Sequence, residues 1–293
     1  MAGFRSRKNA ISKADFSVLP FPILIFTMGF LFSVILCLLA GLHPINGAAA
    51  FTNTSQFQAD YIVRWTSKCT GIDPVVPHFT VTSGSVCTLD GDPLTALAQN
   101  QSRDFAVGLN ASAGISTWRS WIDTTLEYQA TTASSTLVEL TRDDRSGNSQ
   151  YFTDISLVDA LTSSLVVIPP KTNCTQHYGN QTTTICRSIS CVPPDDWQCP
   201  LQNRFSSDNQ GQYLSHTYLS AEQSCLSNCT VHRTDEACCA GQYANPKTCS
   251  NKNPELKKAC DEAYSYAFDD QSATYVWSLP LDSVALIEII ACA

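Results

Sequence analysis

The sequence contains no Gly-x-Ser-x-Gly elbow, no glycine-rich phosphate loop and no His-Glu-x-x-His signature. The commonest local marks of serine hydrolases, nucleotide binders and zinc peptidases are therefore missing. Histidine is scarce, and the five present (His43, His78, His177, His216 and His232) show no metal-ligand spacing. Basic charge is also short, with 18 Lys and Arg against 26 Asp and Glu. Four of those basic residues and one acidic residue precede Phe16, which leaves 14 basic and 25 acidic side chains, net −11, in the rest. Nucleic-acid binding draws on clustered cations that neutralise phosphates, so this balance excludes it as the expected role. An acidic surface suits neutral polysaccharide, cationic ligands or plain solubility.

Charge is absent altogether from Val18 to Leu42, an apolar run of 25 residues. Such a run is long enough to span a bilayer as a helix. Arg5, Arg7, Lys8 and Lys13 precede it, and Ala48-Ala49-Ala50 follows it. The small residues suit signal peptidase, whereas the length and basic flank suit a retained type II anchor. Residues 1–50 are thus expected to be a cleaved signal peptide or a signal anchor. Either places residues 51–293 outside the cell or in the secretory lumen, with membrane contact only through 18–42 if the leader stays.

What the chain has in quantity is cysteine. Thirteen of the 14 cysteines follow residue 50, and only Cys37 lies in the apolar run. That density in an oxidising compartment reads as a disulfide framework. Thirteen is odd, so at least one thiol is expected free or bonded to another chain. Six Asn-x-Ser/Thr sequons, at Asn53, Asn100, Asn110, Asn173, Asn180 and Asn228, agree with the same compartment. Cys225 and Cys229 meet a zinc-pair spacing, but the compartment and the Cys238-Cys239 doublet favour disulfides over metal. No cofactor is expected.

Residues 51–170 read as short strands rich in β-branched and aromatic side chains: Tyr61–Trp65, Phe79–Val81, Phe105–Val107, Leu126–Tyr128, Leu137–Leu140 and Leu165–Ile168. Polar and glycine-containing clusters separate them, as in a sandwich or barrel. From about 171 to 263 the chain becomes loop-rich and cysteine-dense, with short helices expected around Ser220–Cys229 and Pro254–Ala263. Two more strands are expected over Ala273–Trp277 and Ser283–Ala291.

The ordered spacing Cys186, Cys191, Cys199-Pro200, Cys225, Cys229, Cys238-Cys239, Cys249 and Cys260 leads into Ala259-Cys260-Asp261-Glu262-Ala263-Tyr264-Ser265-Tyr266-Ala267-Phe268-Asp269-Asp270. This resembles the thaumatin-like (osmotin-like) family. Tyr151–Asp159 and Thr136–Leu140 look like two further strand motifs of that family. The likeness is strong over about 136–270 and weak over 51–135. It implies a mainly β fold: an antiparallel sandwich with a second, disulfide-rich lobe of loops and helices. It also implies the bridges Cys69–Cys292, Cys191–Cys260, Cys199–Cys225, Cys229–Cys238 and Cys239–Cys249. The family's usual partner for Cys186 is replaced by Val276, so Cys186 is assigned to Cys174, which leaves Cys87 over.

Members of the family share an acidic cleft of one Arg, one Glu and three Asp. The resemblance places Glu139, Asp154, Asp159 and Asp269 there, and Arg119 through its Arg-Ser-Trp pattern. Asp154 and Asp159 are five apart, so a regular strand would aim them at opposite faces unless a bulge or strand end intervenes. Trp118, Trp121, Tyr264 and Tyr266 are candidates for stacking on sugar rings or for the core. The implied function is binding of β-1,3-glucan or a related cell-wall polysaccharide, in defence or wall remodelling, by a monomer. The alternatives are a weak endo-β-1,3-glucanase using Glu139 with Asp154, since a carboxylate pair can cut a glycosidic bond, and a protein-interaction or inhibitor module.

Overall fold

The computed structural model describes residues 43–44, 59–70, 75–88, 97–119, 135–143, 148–171, 174–178, 181–205, 218–281 and 283–293. The rest of the leader, the expected strand Leu126–Tyr128 and Trp121 lie outside the described residues, as do Asn53, Asn173 and Asn180.

Fourteen strands are described. They are β1 (His43–Pro44), β2 (Ala59–Ser67), β3 (Val75–Thr88), β4 (Ser102–Arg119), β5 (Leu137–Asp143), β6 (Asn148–Ser156) and β7 (Ala160–Leu161). They continue as β8 (Leu165–Ile168), β9 (Thr175–Tyr178), β10 (Gln181–Thr183), β11 (Ile189–Cys191), β12 (Cys225–Leu226), β13 (Tyr275–Pro280) and β14 (Ala285–Ala291). Twelve form one hydrogen-bonded path, β10-β9-β13-β6-β5-β4-β2-β14-β8-β11, with β3 on β4 and β1 on β3. β7 and β12 make a separate pair. All pairings are antiparallel except β14 with β2, which is parallel. His43 and Pro44, at the end of the leader-like segment, pair with Thr88 and Cys87.

The path folds back on itself. β2 and β5 pair with successive stretches of one edge of β4, whose other edge carries β3. The rings of Tyr61 on β2 and Tyr151 on β6 meet edge to face with centroids 5.9 Å apart. One strand makes the turn: residues 102–108 of β4 pair with β2 and residues 112–116 pair with β5. The result is a sandwich with alternating side chains turned inward. Tyr61, Val63 and Trp65 of β2, Ala285, Ile287, Ile289 and Ala291 of β14, and Tyr275, Trp277 and Leu279 of β13 are all buried. Val138 and Leu140 of β5 and Tyr151 and Ile155 of β6 line the same wall as β13, which pairs with β6, opposite β2 and β14. Period-two burial is what strand geometry demands of a one-sided core.

The second lobe packs at one end. Its helices are shorter than the sequence suggests. The first runs Asn228–His232 and starts late because Cys225–Leu226 is committed to pairing with β7. Ser227 caps it, its hydroxyl accepting from Thr230 N at 3.1 Å. The next, Asp235–Cys238, is capped by Thr234 and ends with Cys239 at φ 53°. Gly241 also has φ 53°, a conformation that favours glycine, and an added Cβ would displace the Asp235 carboxylate. The helix Pro254–Ala259 stops at Cys260 because the following residues run extended along β6: Tyr264 N donates to Ile155 O and Leu157 N donates to Tyr264 O, each at 2.8 Å.

Among the described residues, six disulfides staple the two lobes. Cys69–Cys292 joins the end of β2 to the residue after β14, and Cys174–Cys186 spans the β9–β10 hairpin. Cys191–Cys260 ties β11 to the lobe, while Cys199–Cys225, Cys229–Cys238 and Cys239–Cys249 lie within it. The side chains of Cys37 and Cys87 are outside the described residues. Cys69–Cys292 closes the longest loop, with a sequence separation of 223. Replacing both of its cysteines with serine is expected to cost about 2–5 kcal/mol, because the unfolded chain regains that loop's entropy. Denaturant titration of the oxidised protein checks this; a loss below about 0.5 kcal/mol would contradict the loop-closure account.

Candidate acidic site

Glu139 and Asp154 lie directly opposite each other on β5 and β6. Their strand neighbours Val138, Leu140 and Ile155 face the core, so alternation turns both carboxylates to the outer face. Directly opposed side chains have Cβ atoms roughly 4.5–5.5 Å apart. The register partner of Glu139 on its other side is Gly114 of β4, which has no side chain to fill the row. Both acidic residues are half-buried, and Oδ1 of Asp154 is shielded from solvent.

Beyond Asp154 the row continues into the cysteine-rich lobe. β13 flanks β6 only as far as Thr153, opposite Tyr275. The strand-like segment around Tyr264 takes over that edge at Ile155–Leu157. The Tyr264 hydroxyl donates to Asp270 Oδ1 at 2.5 Å and also meets Thr274 Oγ1. Burial, then the bond to Asp270, then the nearby charge of Asp154 push the Tyr264 hydroxyl pKa well above its ordinary value. Tyr266 is raised too, first by burial and then by Asp269 and Asp270. The described row is thus Glu139, Asp154, Tyr264 and Asp270, with Tyr264 held as a neutral phenol.

The other sequence candidates fall elsewhere. Asp159 lies beyond the end of β6 at Ser156, so a strand end does separate it from Asp154. It is exposed, and its backbone carbonyl accepts from Ser227 N and Thr230 Oγ1, which anchors the sandwich to the lobe. Asp269 is turned into the lobe and is only 7% exposed. Its carboxylate accepts from Lys257 Nζ at 3.0 Å, from Ser265 N and Oγ at 3.1 Å each, and from Ser272 Oγ. Asp270, its neighbour, is the one that joins the row. Arg119 ends β4 five residues beyond Gly114, roughly 16 Å along the strand, and its side chain is outside the described residues. The sequence offers Tyr264 for stacking on a sugar ring or for the core; its pairing along β6 depends on a contact over a hundred residues distant. Among the described residues no cluster of His, Cys, Asp and Glu is arranged to hold a metal ion. A concavity of about 530 Å³ lies away from the acidic row, beside Pro169, Pro170, Lys171 and the Cys174–Cys186 bridge. Its lining is part apolar and holds no carboxylate, so the chemistry points to the row instead.

The thaumatin family model matches residues 123–289, more than half of the chain. The chain belongs to the thaumatin family. Among curated proteins, it is 33% identical over 129 residues to "Pathogenesis-related thaumatin-like protein 3.5" of Cryptomeria japonica, covering 43% of this chain and 45% of that one. It is 32% identical over 128 residues to "Thaumatin-like protein 1" of Arabidopsis thaliana, covering 43% and 40%. It is also 30% identical over 144 residues to the "PR5-like receptor kinase" of Arabidopsis thaliana, covering 48% of this chain and 19% of that protein. The chain spans less than half the length of each of these relatives. Membership in the family accounts for the β sandwich and for the disulfide-rich lobe. Among the described residues no helix is long and apolar enough to cross a membrane.

Two outcomes follow from this geometry. Like charges directly opposed across a sheet are destabilising, so Glu139→Gln is expected to stabilise the fold by about 0.2–1 kcal/mol, measured as a raised denaturant midpoint. The phenol of Tyr264 holds its proton more tightly in the folded state than in the unfolded chain, where its pKa is 10.0. Its contribution is therefore complete below pH 10 and drains away as pH rises above that value. Denaturation midpoints at neutral and strongly alkaline pH should fall further in the native protein than in Tyr264→Phe; an identical fall in both would contradict the assignment.

Proposed function

We propose that this thaumatin-family chain works outside the cell or in the secretory lumen and binds a neutral cell-wall polysaccharide, β-1,3-glucan or a close relative, along the acidic row. The observation that carries this reading is the direct opposition of Glu139 and Asp154 on the outer face. Carboxylates are acceptors only, and sugar hydroxyls are donors that suit them. Tyr264 adds a neutral, aromatic edge to the same row. The names of the relatives from Cryptomeria japonica connect such chains with pathogenesis, which supports a defence role here. The receptor-kinase relative shows the same kind of domain within a longer protein, which is compatible with the anchored form of the leader.

A second reading is supported by the same pair. Two adjacent carboxylates are the minimal equipment of a glycosidase, one as acid and one as base or nucleophile. Binding ranks first because recognition needs only the two acceptors side by side, whereas cleavage also needs separate acid and base or nucleophile roles. The experiment is to express the chain through a secretory host, incubate it with insoluble β-1,3-glucan, and measure retention and release of reducing ends. Retention without release, weakened about tenfold or more in both Glu139→Gln and Asp154→Asn, is the expected result. Release abolished by Glu139→Gln would convert the reading to a hydrolase. Absence of both retention and release would set the glucan reading aside in favour of a protein partner.

A further inference from the structure

Two of the six sequons have their asparagine side chain among the described residues, and the fold treats them in opposite ways. Asn228 is half-buried at the head of the helix Asn228–His232. Its Nδ2 donates to Lys252 O, and its Oδ1 accepts from Asn203 Nδ2 at 2.8 Å. Its backbone N donates to Asn253 Oδ1 at 2.6 Å, and Asn253 is itself buried and donates to Ser265 O at 2.6 Å. The other two sequon positions are equally committed: Cys229 is bonded to Cys238, and Thr230 Oγ1 donates to Asp159 O at 2.8 Å. A sugar on Nδ2 would replace an amide hydrogen in the middle of this network, which buried polar groups tolerate poorly.

Asn100 is the reverse case. It is exposed in the turn that leads into β4, in the left-handed region at φ 65°, where asparagine is tolerated. Its backbone N donates to Ser67 O at 2.7 Å, which fixes the turn. Its Oδ1 accepts from Lys68 Nζ at 2.8 Å, an interaction that a substituted amide retains. Its Nδ2 makes no hydrogen bond among the described residues.

We propose that Asn100 carries an N-linked oligosaccharide and that Asn228 stays bare in the folded protein. This rests on the secretory-pathway reading above. The oligosaccharide comes from a lipid diphosphate carrier: the bond from Asn100 Nδ2 to the first sugar carbon forms, the bond from that carbon to the diphosphate breaks, and the amide gives up a proton. The site lies by the Cys69–Cys292 bridge, at the end of the sandwich where β2 and β14 finish. Gly114, opposite Glu139, is twelve residues beyond Ser102 on β4, past the point where that strand passes from β2 to β5. A glycan on Asn100 covers the bridged end.

The test is to express the full chain in a eukaryotic secretory host and release its N-glycans with a peptide N-glycosidase in heavy-oxygen water. Peptide mass spectrometry then reads which asparagines become labelled aspartates, beside the oxidation state of the cysteines. The expected result is label at Asn100 and none at Asn228, with Asn100→Gln losing one glycan's mass. Bare Asn100, or labelled Asn228, in a chain whose lobe disulfides are formed would overturn the proposal while leaving the compartment intact. A chain recovered with all its cysteines reduced and no glycan would overturn the compartment and the proposal together.

Discussion

Two backbone hydrogen bonds hold the molecule's working arrangement together, those joining Tyr264 to Ile155 and Leu157. They make a piece of the cysteine-rich lobe into a short continuation of the sandwich. β13 and this segment divide one edge of β6 between them, so that edge is paired along its whole course. Without the segment, Ile155 and Leu157 would keep backbone groups unpaired at a place where side chains are buried, and such groups are costly. The Cys191–Cys260 bridge and the early end of the helix Pro254–Ala259 serve the same contact, because both bring residue 260 to the right end of the sheet.

The acidic row and the lobe's interior show two uses of the same residue type. Asp269 is paired with Lys257 and saturated by serine hydroxyls, and its charge is balanced where it is buried. Removing one partner of such a pair leaves an uncompensated charge, a far larger penalty than losing an exposed ion pair. Asp154 and Glu139 instead stand against each other, a placement that costs stability and that a purely structural sheet has no need of. One aspartate closes the lobe, and its neighbour Asp270 turns outward to hold the phenol of Tyr264. A single residue step in the chain separates a carboxylate buried in the lobe from one turned to the outer face.

Much of this was legible in the sequence. The β-branched and aromatic runs at Tyr61–Trp65, Leu137–Leu140 and Leu165–Ile168 are strands, since period-two patterning follows directly from a buried face. The spacing of the cysteines from Cys186 to Cys260 pointed to the family, and Glu139 and Asp154 were singled out as a pair. The register that sets them opposite each other was not legible, because nothing local to either strand fixes it. Helix lengths were overestimated where the chain had a distant commitment: Cys225–Leu226 to β7, and Ala263–Ser265 to β6. The inward turn of Asp269 was hidden for the same reason, since Lys257 and Ser272 lie on separate elements. Local sequence reported local preference, and the misses fell where long-range pairing overrode it.

The parallel pairing of β2 with β14 bears on how the molecule is made. β2 is flanked by β4 on one edge and by β14 on the other, and more than two hundred residues separate it from β14 along the chain. A ribosome releases β2 long before its second neighbour exists. During that interval the buried set Tyr61, Val63 and Trp65 lacks its full wall and one strand edge is open to any passing chain. Non-local pairing of this kind is slow and exposes the chain to aggregation while it waits. The sandwich can close only after translation of this domain has ended. The order in which the described disulfides form relative to that late pairing is then as much a part of its folding as the residues themselves.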